Sequence, residues 1–127
     1  MKILLVADQY YPPTLGGSAI SSRRLVRLAI TTATDEGIPY QLAVRRGGAT
    51  DARALQFART GVPCVVLGTP ARYIHSHQSI IRLDDYLGCF ALARALVRRL
   101  DAATVAGLTR WEGVPDFDGS PDAGRKN

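Results

Sequence analysis

The two histidines, His75 and His77, are the side chains best suited to chemistry, and both lie just after an apolar run from Val62 to Leu67. Turn-forming residues at positions 68–70 separate that run from the histidines. Because open α/β sheets carry ligand and metal groups on loops at the carboxyl edge of the strands, an imidazole here is well placed to bind a ligand. A neutral imidazole is a common metal ligand, and its second nitrogen then needs an orienting partner. A single loop histidine is nevertheless more often a surface residue than a ligand, so the residues alone leave both readings open.

Composition indicates one small globular domain and excludes several classes of protein. The 127 residues are 46% hydrophobic and 21% charged, with a net charge of +5. The arginines are scattered singly or in pairs without interleaved aromatic residues, so no nucleic-acid partner is predicted. No apolar stretch approaches the ~18 residues of a membrane helix, and none resembles a signal peptide. Cys64 and Cys89 lack metal-type spacing and are predicted to be free thiols in the cytoplasm.

Apolar runs alternate with helical patterns, which predicts an α/β fold built from βαβ units. The expected architecture is a small three-layer unit with a mostly parallel three-stranded sheet. Its outer edges would lack partners, so we expect a fragment of a larger domain. The predicted strands are Lys2–Ala7, Pro39–Val44 and Val62–Leu67.

Three helices are predicted between and after these strands. The first opens at Ser18 and stops at Gly37, a residue type common just after a helix end. The second begins where Thr50 or Asp51 can cap it and ends near Gly61. Asp84 is expected to cap the third helix, in which apolar residues recur at helical spacing.

Several short sequence motifs between about Thr32 and Leu100 resemble those of the tetrahedral or glutamyl aminopeptidase family of co-catalytic metallopeptidases. In the family's order and spacing, these motifs are Gly37–Gln41, Gly47–Ala52, Gly61–Pro63 and Arg72–Ser76. Asp84 follows them in the chain. The resemblance implies a hydrolase that uses two divalent metals, usually zinc or cobalt, to remove N-terminal residues from peptides. It also implies assembly with other aminopeptidase subunits into large hollow dodecamers.

The resemblance assigns roles to few residues of this chain. His75 matches the last metal ligand of the family, whereas His77 stands at a position that is commonly not a ligand. Thr50 and Asp51 fall in a motif near the catalytic cleft, where they would contact substrate, although capping a helix explains them equally well.

Most of the catalytic apparatus that the resemblance implies is missing. The family uses an upstream histidine, a bridging aspartate, two adjacent glutamates and another acidic ligand, and one glutamate is the general base. The only glutamates here are Glu36 and Glu112, and no histidine precedes His75. We therefore predict no catalytic residue and doubtful metal binding by this chain alone.

Residues 1–29 resemble the start of a two-Rossmann-domain glycosyltransferase, with a first strand, a proline-bearing loop and a Gly16-Gly17 turn. In such enzymes the Gly-Gly loop lies near a sugar-nucleotide diphosphate. A junction between Leu28 and Thr34 would make the chain a chimera: a glycosyltransferase-like part (1–30), an aminopeptidase-like part (31–103) and a disordered tail (110–127).

Three functions remain open at this point. The first is a truncated metallo-aminopeptidase that is inactive alone. The second is an interaction piece that docks on a full-length aminopeptidase through its sheet edges and apolar last helix. The third is a glycosyltransferase remnant.

Overall fold

The computed structural model describes residues 3–7, 16–44, 50–56 and 62–110, and it has the expected α/β character. The predicted loop at Gly47-Gly48, the helix end near Gly61 and the tail from 111 onward lie outside the described residues. In chain order the elements are β1 (Ile3–Ala7), α1 (Gly16–Asp35), β2 (Tyr40–Val44), α2 (Asp51–Gln56), β3 (Val66–Gly68), β4 (Ala71–Arg72), β5 (Ile80–Ile81), α3 (Leu83–Arg98) and α4 (Ala102–Thr109). None of these described helices is long and apolar enough to cross a membrane.

The three longer strands form one sheet in the order β2-β1-β3, but the sheet is mixed. Strand β1 pairs with β2 in parallel and with β3 antiparallel, so Leu5 lies opposite both Leu42 and Leu67. The expectation of a mostly parallel three-stranded sheet is therefore wrong for β3, which also begins at Val66 rather than Val62. A short apolar run can pair in either direction, so its hydrophobicity predicts a strand without predicting which way it runs.

Helices α1 and α3 contact each other and both contact β1, so they cover the same face of the sheet. The core between them consists of Ala29 and Ala33 from α1 and Leu92 and Leu96 from α3. The small alanine side chains let the two helix backbones approach, while the leucines fill the space above the strands. Helices α1 and α3 thus form one helical layer on the sheet.

Helix α1 ends where the sequence predicted, at a glycine with a left-handed backbone. Gly37 has φ +64°, and its N–H donates to the Thr34 carbonyl at 3.1 Å. The Ile38 N–H donates to the Ala33 carbonyl at 2.8 Å, which completes a Schellman motif. This turn reverses the chain and leads it directly into β2.

The predicted last helix is followed by a second helix, α4, that the sequence did not predict. Helix α3 starts at Leu83 with Arg82 at its N-cap, so Asp84 lies in the first turn and is not the cap. Helix α4 starts after Asp101, whose Oδ1 accepts a hydrogen bond from the Thr104 N–H at 2.7 Å. An N-cap aspartate begins a new helix, which is why the apolar pattern around Leu100 does not continue α3.

Candidate functional site

His75 lies at the centre of a hairpin loop. Strands β4 and β5 pair antiparallel, with Ala71 opposite Ile81 and Arg72 opposite Ile80. The intervening loop carries both histidines, which are exposed to solvent. The two paired strands hold both ends of this loop in place. A side chain on the loop is therefore well positioned to bind a ligand.

The loop backbone is held in an uncommon conformation. Tyr73 and His75 have φ values of 60° and 66°, in the left-handed region that residues other than glycine seldom adopt. Ser76 stabilises this turn: its N–H and its Oγ donate to the Tyr73 carbonyl at 3.2 and 2.7 Å, and the Gln78 N–H donates to Oγ at 3.4 Å. Local strain of this kind concentrates at functional sites, where it orients a side chain before any ligand binds.

The donors that would complete a metal site are not gathered around this loop. Within residues 3–7, 16–44, 50–56 and 62–110, no group of three or more histidine, cysteine, aspartate or glutamate side chains could hold a metal ion. A tetrahedral zinc site needs four ligands, of which a catalytic site takes three from the protein. The described donors therefore do not fit the metal pair of the resembled family, and no catalytic step through a metal is assigned to them.

Thr50 and Asp51 follow a different edge of the sheet from His75. Asp51 is the first residue of α2, so Thr50 occupies the N-cap position. Helix α2 follows the end of β2, whose Val44 pairs with Ala7, whereas β3 ends at Gly68, which pairs with Leu4 at the opposite edge. The antiparallel direction of β3 thus leads the His75 loop away from the carboxyl ends of β1 and β2, where the sequence suggested it would begin.

Asp85 is a polar residue whose burial was not predicted. Its exposed fraction is 5%, and its Oδ2 has no hydrogen-bond partner among the residues that the structure describes. Helical spacing could have found it, because Asp85 falls on the same face of α3 as the buried Leu92 and Leu96. A buried carboxylate oxygen without a donor is costly, so it marks a place where a further group would be favourable.

Two other features of the described residues lie apart from the histidine loop. An open groove of about 260 Å³ runs between the end of α1 and the C-terminal half of α3, and none of its lining residues is a predicted site residue. Cys64 and Cys89 are free, as their spacing predicted, and half-buried. Desolvation raises the pKa of the Cys64 thiol, which disfavours the reactive thiolate.

Comparison with protein families identifies the class to which this fold and loop belong. The family model described as M42 glutamyl aminopeptidase matches residues 7–92, well over half of the chain. The chain therefore belongs to the glutamyl aminopeptidase family. The matched region contains Thr50, Asp51 and His75.

Individual relatives agree with this assignment. The glutamyl aminopeptidase of Lactococcus lactis is 38% identical over 82 residues, which are 65% of this chain and 23% of that protein. A crystal structure of a TET aminopeptidase from a marine sediment archaeon of the Thaumarchaeota is similar with a TM-score of 0.72 and 33% identity. That match covers 85% of this chain and 28% of the other. An aminopeptidase from Desulfurococcus kamchatkensis gives a TM-score of 0.71 at 26% identity, covering 89% and 30% of the two chains.

The extent of these matches has two consequences. The chain spans about a quarter of the length of the curated relative, so the activity of the whole relative does not transfer directly. The family match also begins at residue 7, so it extends across the expected junction between Leu28 and Thr34. The comparisons lend no support to the glycosyltransferase resemblance of residues 1–29.

Proposed function

We propose that this chain is a truncated metallo-aminopeptidase, a hydrolase by descent that is inactive as a peptidase by itself. The observation that carries the proposal is the contrast between family membership and the missing donor set. The family match includes the His75 loop, yet the described residues offer no cluster of three metal-binding side chains. One imidazole cannot hold a metal pair, so hydrolysis needs ligands from outside these residues.

In this proposal His75 supplies the last ligand to zinc or cobalt when the remainder of the family's site is present. The turn around it supports that role, because Ser76 fixes the backbone on both sides of the histidine. Thr50 and Asp51 would contact the peptide substrate near the cleft. The free cysteines agree with a cytoplasmic location.

Among the described residues, no glutamate is placed to act as general base at the His75 loop. Glu36 follows the end of α1, where its Oε1 lies 3.3 Å from Arg99 Nη2. An ion-paired carboxylate at the far end of a helix cannot accept a proton from water at the hairpin loop. Glu112 lies outside the described residues.

The test is an activity assay on the full chain with aminoacyl p-nitroanilides and short peptides, with and without zinc or cobalt. We expect no turnover that depends on the protein. His75→Ala is the informative variant and His77→Ala its matched control, since both histidines are exposed on the same loop. Turnover that requires metal and is lost only in His75→Ala would contradict the proposal. A contaminating host peptidase would leave both variants equally active.

Zinc binding can be measured on the same samples by calorimetry. We expect a dissociation constant weaker than about 1 µM, because one neutral ligand and water replace a full ligand set. Tighter binding that is lost in His75→Ala but retained in His77→Ala would show that further ligands converge on this loop.

A second candidate function, an interaction piece for a full-length aminopeptidase, is favoured by the sheet edges. Strands β2 and β3 each pair only with β1 among the described residues, so each presents one open edge. Tagged chain should then retain an intact glutamyl aminopeptidase from the same cell. Recovery of the chain without that enzyme would count against this candidate.

A further inference from the structure

The groove between the end of α1 and the C-terminal half of α3 is lined on its α3 side by a stripe of alternating alanine and arginine. Ala91, Arg94, Ala95 and Arg98 are spaced three or four positions apart, so they lie on one side of the helix. The volume of the groove is about 260 Å³, close to the roughly 300 Å³ at which small-molecule sites begin. The groove is therefore large enough to hold a small organic ion.

The opposite wall of the groove is the turn that ends α1. The left-handed Gly37 reverses the chain there, and both of its neighbours, Glu36 and Ile38, line the groove. The Glu36 carboxylate is already paired, because Arg99 Nη2 lies 3.3 Å from its Oε1 while Arg99 Nη1 lies 2.6 Å from Asp35 Oδ2. With Arg99 holding both carboxylates, the two arginines of the α3 stripe make this region net positive.

Those two arginines, Arg94 and Arg98, are cations without a partner among residues 3–7, 16–44, 50–56 and 62–110. Both are exposed, and neither side chain takes part in a hydrogen bond or ion pair there. Residues four apart on a helix have Cβ atoms about 5–6 Å apart, so two long guanidinium side chains can reach one ligand. Until an anion lies between them, their like charges repel each other.

We propose that this groove binds a small organic dianion, one that carries a phosphate group or two carboxylates. Arg94 and Arg98 bind its charged groups, because the guanidinium fork matches the oxygens of both. The apolar part of the ligand contacts the side chains of Ile38, Ala91 and Ala95, which are half-buried and carry no polar atom that binding would leave unpaired.

The charges and the position of the groove define this site as separate from the His75 loop. Helix α3 begins at Leu83, directly after β5, and a rise of 1.5 Å per residue places Arg98 about 22 Å farther along the axis. A cation would meet Arg94 and Arg98 as like charges, and a neutral ligand would leave their mutual repulsion in place. An anion is the class of ligand that removes this repulsion, and its binding does not depend on peptidase activity.

Titration of the full chain with phenyl phosphate and with glutarate, at low and constant ionic strength, tests the proposal. Amide resonances followed by nuclear magnetic resonance locate the site, and we expect saturable shifts at residues 36–38 and 91–98. Replacing Arg94 and Arg98 together by glutamine should weaken binding at least about tenfold, because the charge-assisted hydrogen bonds are lost. The probe that binds more tightly identifies the ligand class as phosphate or dicarboxylate.

Arg27→Gln is the matched control for the loss of positive charge. Arg27 is exposed on α1 and does not line the groove, so its replacement should change the affinity less than about twofold. Circular dichroism of every variant checks that the fold is retained. The absence of saturable shifts with both probes, or a loss in Arg27→Gln equal to that in the double arginine variant, would overturn the proposal.

Glu36→Gln tests the sign of the ligand's charge. This change removes the carboxylate that faces the ligand and leaves Arg99 paired with Asp35 alone. We expect the bound dianion to be held about threefold more tightly, the size of a single exposed charge interaction. If Glu36→Gln instead weakens binding as the double arginine variant does, the groove does not select an anion and the proposal is wrong.

Discussion

Ser76 is the residue that keeps His75 in its unusual backbone conformation. A left-handed conformation costs a residue with a side chain about 1–2 kcal/mol, and two such residues, Tyr73 and His75, stand close together here. The Ser76 side chain offsets part of that cost through its hydrogen bonds to Tyr73 and Gln78. The position of the candidate ligand thus depends on a hydroxyl whose hydrogen bonds lie within the loop.

Replacing Ser76 by alanine should therefore loosen the loop while the fold is kept. We expect backbone amide exchange at residues 73–78 to accelerate about fivefold, the equivalent of losing one hydrogen bond of about 1 kcal/mol. Hydrogen exchange read by mass spectrometry measures this, with circular dichroism to confirm the fold. Ser79→Ala, at the end of the same loop, is the control and should leave the exchange rates unchanged. Equal acceleration in both variants would show that the Ser76 hydrogen bonds do not order the loop.

The residues themselves predicted much of the loop but not its surroundings. An apolar run followed by turn formers was enough to place His75 on a loop after a strand. The edge of the sheet from which that loop departs was not predictable, because it depends on the direction of β3. Asp85 was missed for a different reason: a carboxylate is normally expected at the surface, and only its spacing from Leu92 indicated burial.

Glycines in two elements of the structure have opposite roles. Gly37 ends α1 with φ +64°, while Gly107 lies inside α4 without a positive φ. A Cβ added at either position would meet no atom within 4 Å, so any effect of alanine comes from the backbone alone. Alanine substitutions at Gly37 and Gly107 therefore measure the free-energy cost of the backbone conformation without a contribution from steric clash.

We expect Gly37→Ala to lower the free energy of unfolding by about 1 kcal/mol, because alanine is strained in the left-handed region. Gly107→Ala should instead raise it by up to about 1 kcal/mol, since alanine has the higher helix propensity. Urea denaturation of both variants and the unaltered chain gives the two differences. Effects of the same sign would show that one of the two backbone conformations is wrong.

The start of α4 should respond to pH through Asp101. The hydrogen bond from the Thr104 N–H lowers the pKa of the Asp101 carboxyl group in the folded chain. A carboxyl whose folded pKa is depressed stabilises the fold above its unfolded pKa of about 3.9, and that contribution disappears as the pH falls through the folded value.

Asp101→Ala should therefore destabilise α4 near neutral pH and matter progressively less in acid. Asp101→Asn, which keeps an acceptor for the Thr104 N–H but cannot ionise, should show the smaller effect at neutral pH. Thermal unfolding followed between neutral pH and pH 3 measures the difference between the variants. A difference that grows as the pH falls would contradict the assigned cap.

The elements were predicted better than their ends. Gly37 placed the end of α1 correctly, but the helix begins at Gly16, within the predicted Gly16-Gly17 turn, and not at Ser18. The apolar run from Pro39 predicted β2. The last helix was predicted to reach Leu100, which continues its apolar spacing, whereas α3 ends at Arg98 and α4 was not predicted. Asp101 separates α3 from α4, and Arg99 at the end of α3 binds Asp35 at 2.6 Å, which ties that end to α1.

The whole molecule depends on a small core that joins the two helices to a single sheet. Leu92 is fully buried between α1 and the strands, whereas Leu87 on the same helix is 52% exposed. Both are apolar residues of α3, and apolar character alone does not show which of them is covered. That distinction arises only when α1 packs against α3.

Leu92→Ala should consequently remove a large share of the stability, about 2–5 kcal/mol, because it deletes buried methyl groups and leaves a cavity. Domains of this size are stable by only about 5–15 kcal/mol, so the variant is expected near the limit of folding. Leu87→Ala makes the same chemical change at an exposed site and should cost less than about 1 kcal/mol. Chemical denaturation measures both. Equal losses in the two variants would mean that the core is not centred on Leu92 and that the face of α3 assigned to solvent is covered within a single chain.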